Sequence, residues 1–169
     1  MYFCLPGVGK IEAESSGIVI THMNYRGMFS LGGPMESSGR LAYIDGGSSS
    51  LLVPPVIRGD PCLNALYFPP KVDQTLHTHP SDRIGIVVAG SGQLEMPQTA
   101  IPLEPGVIVV IPAHSLHKFR TLEHNLTVVM FHPDSDAGFT HQDHPMLNRT
   151  LVEGVSAAKL PHIQTNLNR

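Results

Sequence analysis

A chain of 169 residues, 41% apolar and 15% charged, suffices for one domain and can bury a core without disulfide or metal staples. A formal net charge of −3 and a pI near 6.3 exclude the basic surface that nucleic acid or an anionic membrane would require. No apolar run approaches the roughly 18 residues of a membrane span and no basic-then-apolar leader opens the chain. The two cysteines, Cys4 and Cys62, read as reduced thiols, so a cytoplasmic address is the expectation.

Sixteen glycines and fifteen prolines cut the chain into short pieces, the pattern of an all-β sandwich or barrel. Residues 1–40 are glycine-rich and weakly patterned, an N-terminal extension with one candidate strand at Ile18–Ile20. Leu41–Ile44 reads as the next strand, followed by a turn or loop over Gly46-Gly47-Ser48-Ser49-Ser50. Four clearer strands follow: Leu63–Phe68, Ile84–Ala89, Gly106–Ile111 and Leu126–Phe131. Each is short, rich in branched residues and closed by Pro or Gly, which favours strand over helix. Residues 41–133 are the expected barrel, and the polar residues 134–169 are a C-terminal extension hugging the surface. Pro6–Lys10 has the wrong spacing for a phosphate loop and is set aside.

The chemistry concentrates at His77-Thr78-His79. In an extended chain, residues two apart point to one side, so both imidazoles face the same way about 7 Å apart along the backbone. Two ligands from one strand suit a transition metal. After His79 come Pro80-Ser81-Asp82, Arg83, six residues and Gly90; further on, Gly106 is followed by Pro112-Ala113-His114, His117 and, four residues later, Thr121. This arrangement resembles the two motifs of the cupin family over residues 66–132. It departs where the family has Glu (here Arg83), Gly (here His114) and Asn (here Thr121).

The resemblance implies a jelly-roll barrel, a double-stranded β-helix, with His77, His79 and His117 converging on one divalent transition metal: Fe, Zn, Ni or Mn. Three protein ligands leave positions open for water and substrate. It implies a small-molecule ligand, no nucleic-acid or membrane partner, and a homodimer that buries strand edges. A dioxygenase, isomerase or lyase acting on a small organic acid is the first functional expectation. A non-catalytic binding or sensing barrel is the alternative.

Loss of the Glu makes Arg83 the main question. One reading has its guanidinium grip a substrate carboxylate or phosphate, with Gly85 leaving space for the long side chain. The other pairs Arg83 with Asp82 or Glu95 at the rim. Asp82 as a fourth metal ligand is disfavoured, because adjacent strand residues face opposite sides. Tyr67 is a candidate acid or ligand-orienting group, weighed against a half-buried packing role. His114 and His132 are expected at the mouth or rim. His124, His141, His144 and His162 are expected in solvent, and Phe68, Met96, Phe119 and Met130 in the lining.

Overall fold

The computed structural model describes residues 1–165. In chain order the strands are β1 (Tyr2–Cys4), β2 (Ser30–Gly32), β3 (Leu41–Ala42), β4 (Ser48–Val53), β5 (Cys62–Phe68), β6 (Arg83–Gly90) and β7 (Gly92–Met96). They continue as β8 (Thr99–Leu103), β9 (Ile108–Ile111), β10 (Lys118–Arg120) and β11 (Leu126–His132). A short helix α1 (Pro145–Arg149) and a hairpin of β12 (Leu151–Val152) with β13 (Val155–Ser156) follow.

Two sheets make the body. One has six strands in the order β3-β4-β5-β11-β6-β9 and the other three in the order β10-β7-β8. The apolar runs alternate across their sheet, as period-two patterning requires. In β6, Arg83, Gly85 and Val87 are buried while Ile84 and Ile86 are only half-buried. The inward residues pack into one core that includes Phe68, Val87, Leu94, Leu103, Val128 and Met130. Phe68 and Phe119 stack across it with ring centroids 5.0 Å apart. The all-β barrel expected from the strand pattern is the fold observed.

Gly90 closes the turn from β6 to β7 with φ +77°, and a Cβ there would fall 1.8 Å from the Asn125 carbonyl oxygen. Only glycine fits both the backbone conformation and the approach of the neighbouring chain.

Gly39 and Arg40 lie against β4: Gly39 N–H donates to Ser48 Oγ at 3.2 Å and Arg40 N–H to Ser50 Oγ at 3.1 Å. The strand expected at Ile18–Ile20 is not formed; the segment pairs with no strand, with Val19 exposed and Ile18 and Ile20 half-buried. The strand expected over Leu41–Ile44 ends at Ala42, because Ile44–Gly46 turns as a 3-10 helix with Asp45 in the left-handed region at φ 52°. Cys4 and Cys62 are both free. Among the described residues no helix is long and apolar enough to cross a membrane.

Candidate metal centre

His77 and His117 meet as an isolated antiparallel pair beside the main sheets. Each backbone N–H donates to the other's carbonyl at 2.9 Å, so two segments forty residues apart in sequence are locked at this level. Two residues further, His114 N–H donates to the His79 carbonyl at 2.8 Å. Because the 77–79 segment is extended, His77 and His79 share a side, and His117 arrives from across the pair. The ring centroids are 5.1 Å (His77–His79), 4.7 Å (His77–His117) and 5.2 Å (His79–His117) apart. One nitrogen from each ring falls within 4.8 Å of the others.

Two of the rings have their tautomer set by the backbone. His77 Nδ1 lies 2.8 Å from the Thr75 carbonyl and His117 Nδ1 2.8 Å from the Ser115 carbonyl. A carbonyl only accepts, so Nδ1 carries the proton and Nε2 keeps the lone pair a metal needs. Burial pushes the His117 ring below the ordinary imidazole range. Burial first, then the Arg83 charge, hold His79 down to about 4. The donor set is therefore compact, oriented and, for these two rings, uncharged at neutral pH. It fits a divalent transition metal.

The rings open into a cavity of about 200 Å³ lined also by Tyr43, Asn64, Arg83, Phe119, Met130 and His132. Arg83, at the position of the family's Glu, points inward and is 8% exposed. Its Nη1 donates to the Ser81 carbonyl at 3.0 Å, Ser81 Oγ at 2.6 Å and the Asp82 carbonyl at 3.0 Å. Its buried Nε has no partner. Ser81 Oγ in turn donates to Asp134. The expected rim pairings do not form. The Asp82 carboxylate accepts from Ala113 N–H at 2.8 Å, and Glu95 pairs with Lys118 at 3.2 Å and Arg120 at 3.3 Å. Asp82 is absent from the donor cluster. Nor does Gly85 make room for the guanidinium, because a Cβ there would meet Met130 Sδ at 2.2 Å and the Val129 carbonyl at 2.4 Å; the space belongs to β11.

Tyr67 is not brought to the site. In β5 the cavity is lined by Asn64 and Leu66, so Tyr67 projects from the opposite face. It is buried there with its hydroxyl unpartnered, and burial, then the Glu36 charge, raise its pKa. The role of acid expected for Tyr67 lacks the geometry. Tyr43 holds the position instead, with its Oη 3.5 Å from His77 Nε2. The loop carrying it is pinned to the histidine segment by Thr75 N–H donating to Asp45 Oδ2 at 2.7 Å. Nothing in the sequence around Tyr43 announced it. Asn64, a lone amide inside the apolar run of β5, was a readable signal.

The other departures from the family motif have local explanations. His114 takes φ +62°, the left-handed conformation natural to the glycine it replaces, and stays exposed. Thr121 is buried; its Oγ1 accepts from Val72 N–H at 2.9 Å and donates to the Pro69 carbonyl at 2.6 Å. His132 sits deeper than the rim. It lines the cavity with Asn64 Nδ2 at 3.3 Å, and burial, then the Arg83 charge, depress its pKa to about 3.

These depressed values carry a pH signature. An unfolded imidazole titrates near 6.5, against about 4 for His79 and about 3 for His132 in the fold. Between those limits the unfolded chain binds protons that the folded chain refuses, so stability rises with pH there, by up to about 2.7 kcal/mol per unit for two protons. The melting temperature of metal-free protein is expected to fall steeply as pH drops from about 6.5 to about 4. His132→Gln should remove about one proton from that slope. A melting temperature flat across the window would contradict the burial assigned to these rings.

Comparison with known proteins agrees with the all-β fold. The family described as Cupin domain matches residues 66–145. A cupin-like protein from Thermotoga maritima aligns at 20% identity and TM-score 0.51 over 62% of this chain and 83% of its own. The polyketide cyclase RemF from Streptomyces resistomycificus aligns at 18% identity and TM-score 0.50 over 73% of this chain and 84% of its own. At such identities the likeness concerns the fold alone. No curated protein matches the sequence.

Proposed function

We propose that this chain, whose residues 66–145 match the family described as Cupin domain, holds one divalent transition metal on His77, His79 and His117 and acts on a small organic acid. The observation that carries this reading is the convergence of three imidazole nitrogens within 4.8 Å at the wall of a cavity. Three protein ligands leave coordination positions free, the arrangement of a working site rather than a structural one. A metal held there would supply Lewis acidity to a bound oxygen atom, which serves an oxygenase, an isomerase or a lyase alike.

The protein's own groups do the rest. Arg83 offers a buried cation with an unpartnered Nε, the complement of a carboxylate. Its attachment to the Ser81 and Asp82 carbonyls holds the guanidinium still. The Tyr43 hydroxyl, beside His77, is placed to donate to an oxygen of the bound acid. His132 and Asn64 give the cavity a polar end, while Phe119 and Met130 exclude water from the other walls.

Purified protein is expected to carry about one equivalent of transition metal per chain by elemental analysis, or to take up one equivalent of zinc after chelation. Iron-loaded protein is then tested for oxygen uptake with small thiol-bearing and dicarbonyl acids, and for proton exchange or elimination with the same panel. Failure to bind any metal would remove the proposal. Metal binding with silence across the panel would leave a ligand-binding barrel instead.

A further inference from the structure

The wall of the cavity carries a fixed positive charge and nothing to balance it. Among the described residues that line it, Arg83 is a cation and there is no Asp or Glu. Two acids lie near Arg83 but off the wall. Asp82 accepts from Ala113 N–H at 2.8 Å, and Asp134 accepts from Ser81 Oγ. Arg83 also stands where the family motif has Glu, so the wall is two charges more positive than that motif would make it. A divalent ion on His77, His79 and His117 would add two more, because a metal takes imidazole in its uncharged form.

Beside that charge the sheet leaves hydrogen-bonding groups free. Arg83 opens β6 and His132 closes β11, one step past the Phe131↔Ile84 pair, and both line the cavity. All the acceptors that Arg83 finds are bound through Nη1. Its Nε–Nη2 edge, the fork that fits a carboxylate, has no protein partner among the described residues. Asn64 Nδ2 lies 3.3 Å from each ring nitrogen of His132. An amide equidistant from both sits over the ring face, since in the ring plane it would collide with Cε1. The in-plane positions of both nitrogens therefore stay open to a ligand. Asn64 itself is an uncharged amide where an acid would be needed to receive an ammonium group.

We infer that the ligand is a short acid with two carboxylates and no ammonium, one carboxylate lying on the free edge of Arg83. This deepens the metal reading above and rests on it. An acid with one carboxylate leaves one of the two cations without a counter-charge, in surroundings where an unbalanced charge is costly. An ammonium would be repelled by Arg83 and would find no carboxylate on the wall. Size sets the length of the acid. A cavity of about 200 Å³ falls below the roughly 300–1,000 Å³ of sites for drug-sized molecules, so the spacer between the carboxylates is a few carbons at most. Leu66, Ile111, Phe119 and Met130 also line the cavity and suit that spacer.

The test is calorimetric titration of the zinc-loaded full chain with succinate, butyrate and β-alanine. The three share a carboxylate and two methylenes, and end in a second carboxylate, a methyl group and an ammonium. Succinate is expected to bind at least about tenfold tighter than butyrate, with β-alanine the weakest. Asn64→Asp introduces an acid at the His132 end of the cavity with little change of size. In that variant the preference for succinate over β-alanine should fall by about tenfold or more. Zinc content, read first, separates the two readings. A chain that takes up no zinc ends the metal reading and this inference with it. A zinc-loaded wild type that binds butyrate or β-alanine as tightly as succinate overturns this inference alone. So does a zinc-loaded Asn64→Asp chain whose preference is unchanged.

Discussion

Replacing His77 and His79 together by alanine is expected to abolish metal binding, from about one equivalent per chain to none. The variant removes two of three donors and leaves the scaffold alone. His77 is tied to His117 through backbone hydrogen bonds in both directions, which survive truncation of the side chain. Both rings are only half-buried, so no large core cavity is created. Circular dichroism and melting of the metal-free variant should match metal-free wild type, while zinc no longer raises its melting temperature. Wild type with zinc at a hundred times its dissociation constant would gain about 2.7 kcal/mol. His114→Gly is the control. That ring is exposed, and glycine suits its left-handed backbone, so the variant should keep its metal. A double variant that retains one equivalent would place the site elsewhere in the chain.

How far the sequence carried is best seen residue by residue. His-x-His spacing is a local property of extended chain, so two donors were legible without tertiary information. The third became legible only through the resemblance of Gly106, Pro112 and His117 to the second motif of the cupin family. The long strands β5, β6 and β11 fell within a residue or two of their expected ends, because alternation and proline boundaries are also local signals. What failed depended on parity or on loop conformation. Tyr67 and Asn64 differ by an odd number of positions, so choosing one as inward excludes the other, and the amide in an apolar run was the better guide. The partners of Arg83 are carbonyls and a hydroxyl of the residues just before β6, a curl of the chain that no spacing rule foretells. Tyr43 reaches His77 only because Asp45 adopts a left-handed turn and its carboxylate catches the Thr75 amide. His132 and Val19 show the converse error, in which a strand-end histidine proved inward and a branched run proved to have no strand partner.

Arg83 is where metal binding and anion binding are expected to separate. In Arg83→Gln the polar bulk remains and the charge is lost. A charge-assisted hydrogen bond is worth about 1.5–3 kcal/mol, so affinity for a small carboxylate such as acetate or oxalate should fall roughly 10- to 100-fold. Zinc affinity should hold or increase, because a cation has been taken from the cavity. Arg83→Glu goes further and restores an acidic group at the position the family motif assigns to one. A unit charge about 6 Å from a divalent ion interacts by about 5 kcal/mol at an effective dielectric near 20. Reversing its sign should therefore tighten zinc binding by at least tenfold, even after the loss that solvation and rearrangement impose. Carboxylate binding in this variant should vanish. The competing view is that Arg83 is a strut, its Nη1 stapling the Ser81 and Asp82 carbonyls at the entrance to β6. A strut predicts that both variants lose melting temperature, zinc affinity and carboxylate affinity together. Opposite movement of the two affinities is the outcome that a merely structural arginine does not produce, and equal carboxylate affinity in wild type and Arg83→Gln would end its role as the anion's partner.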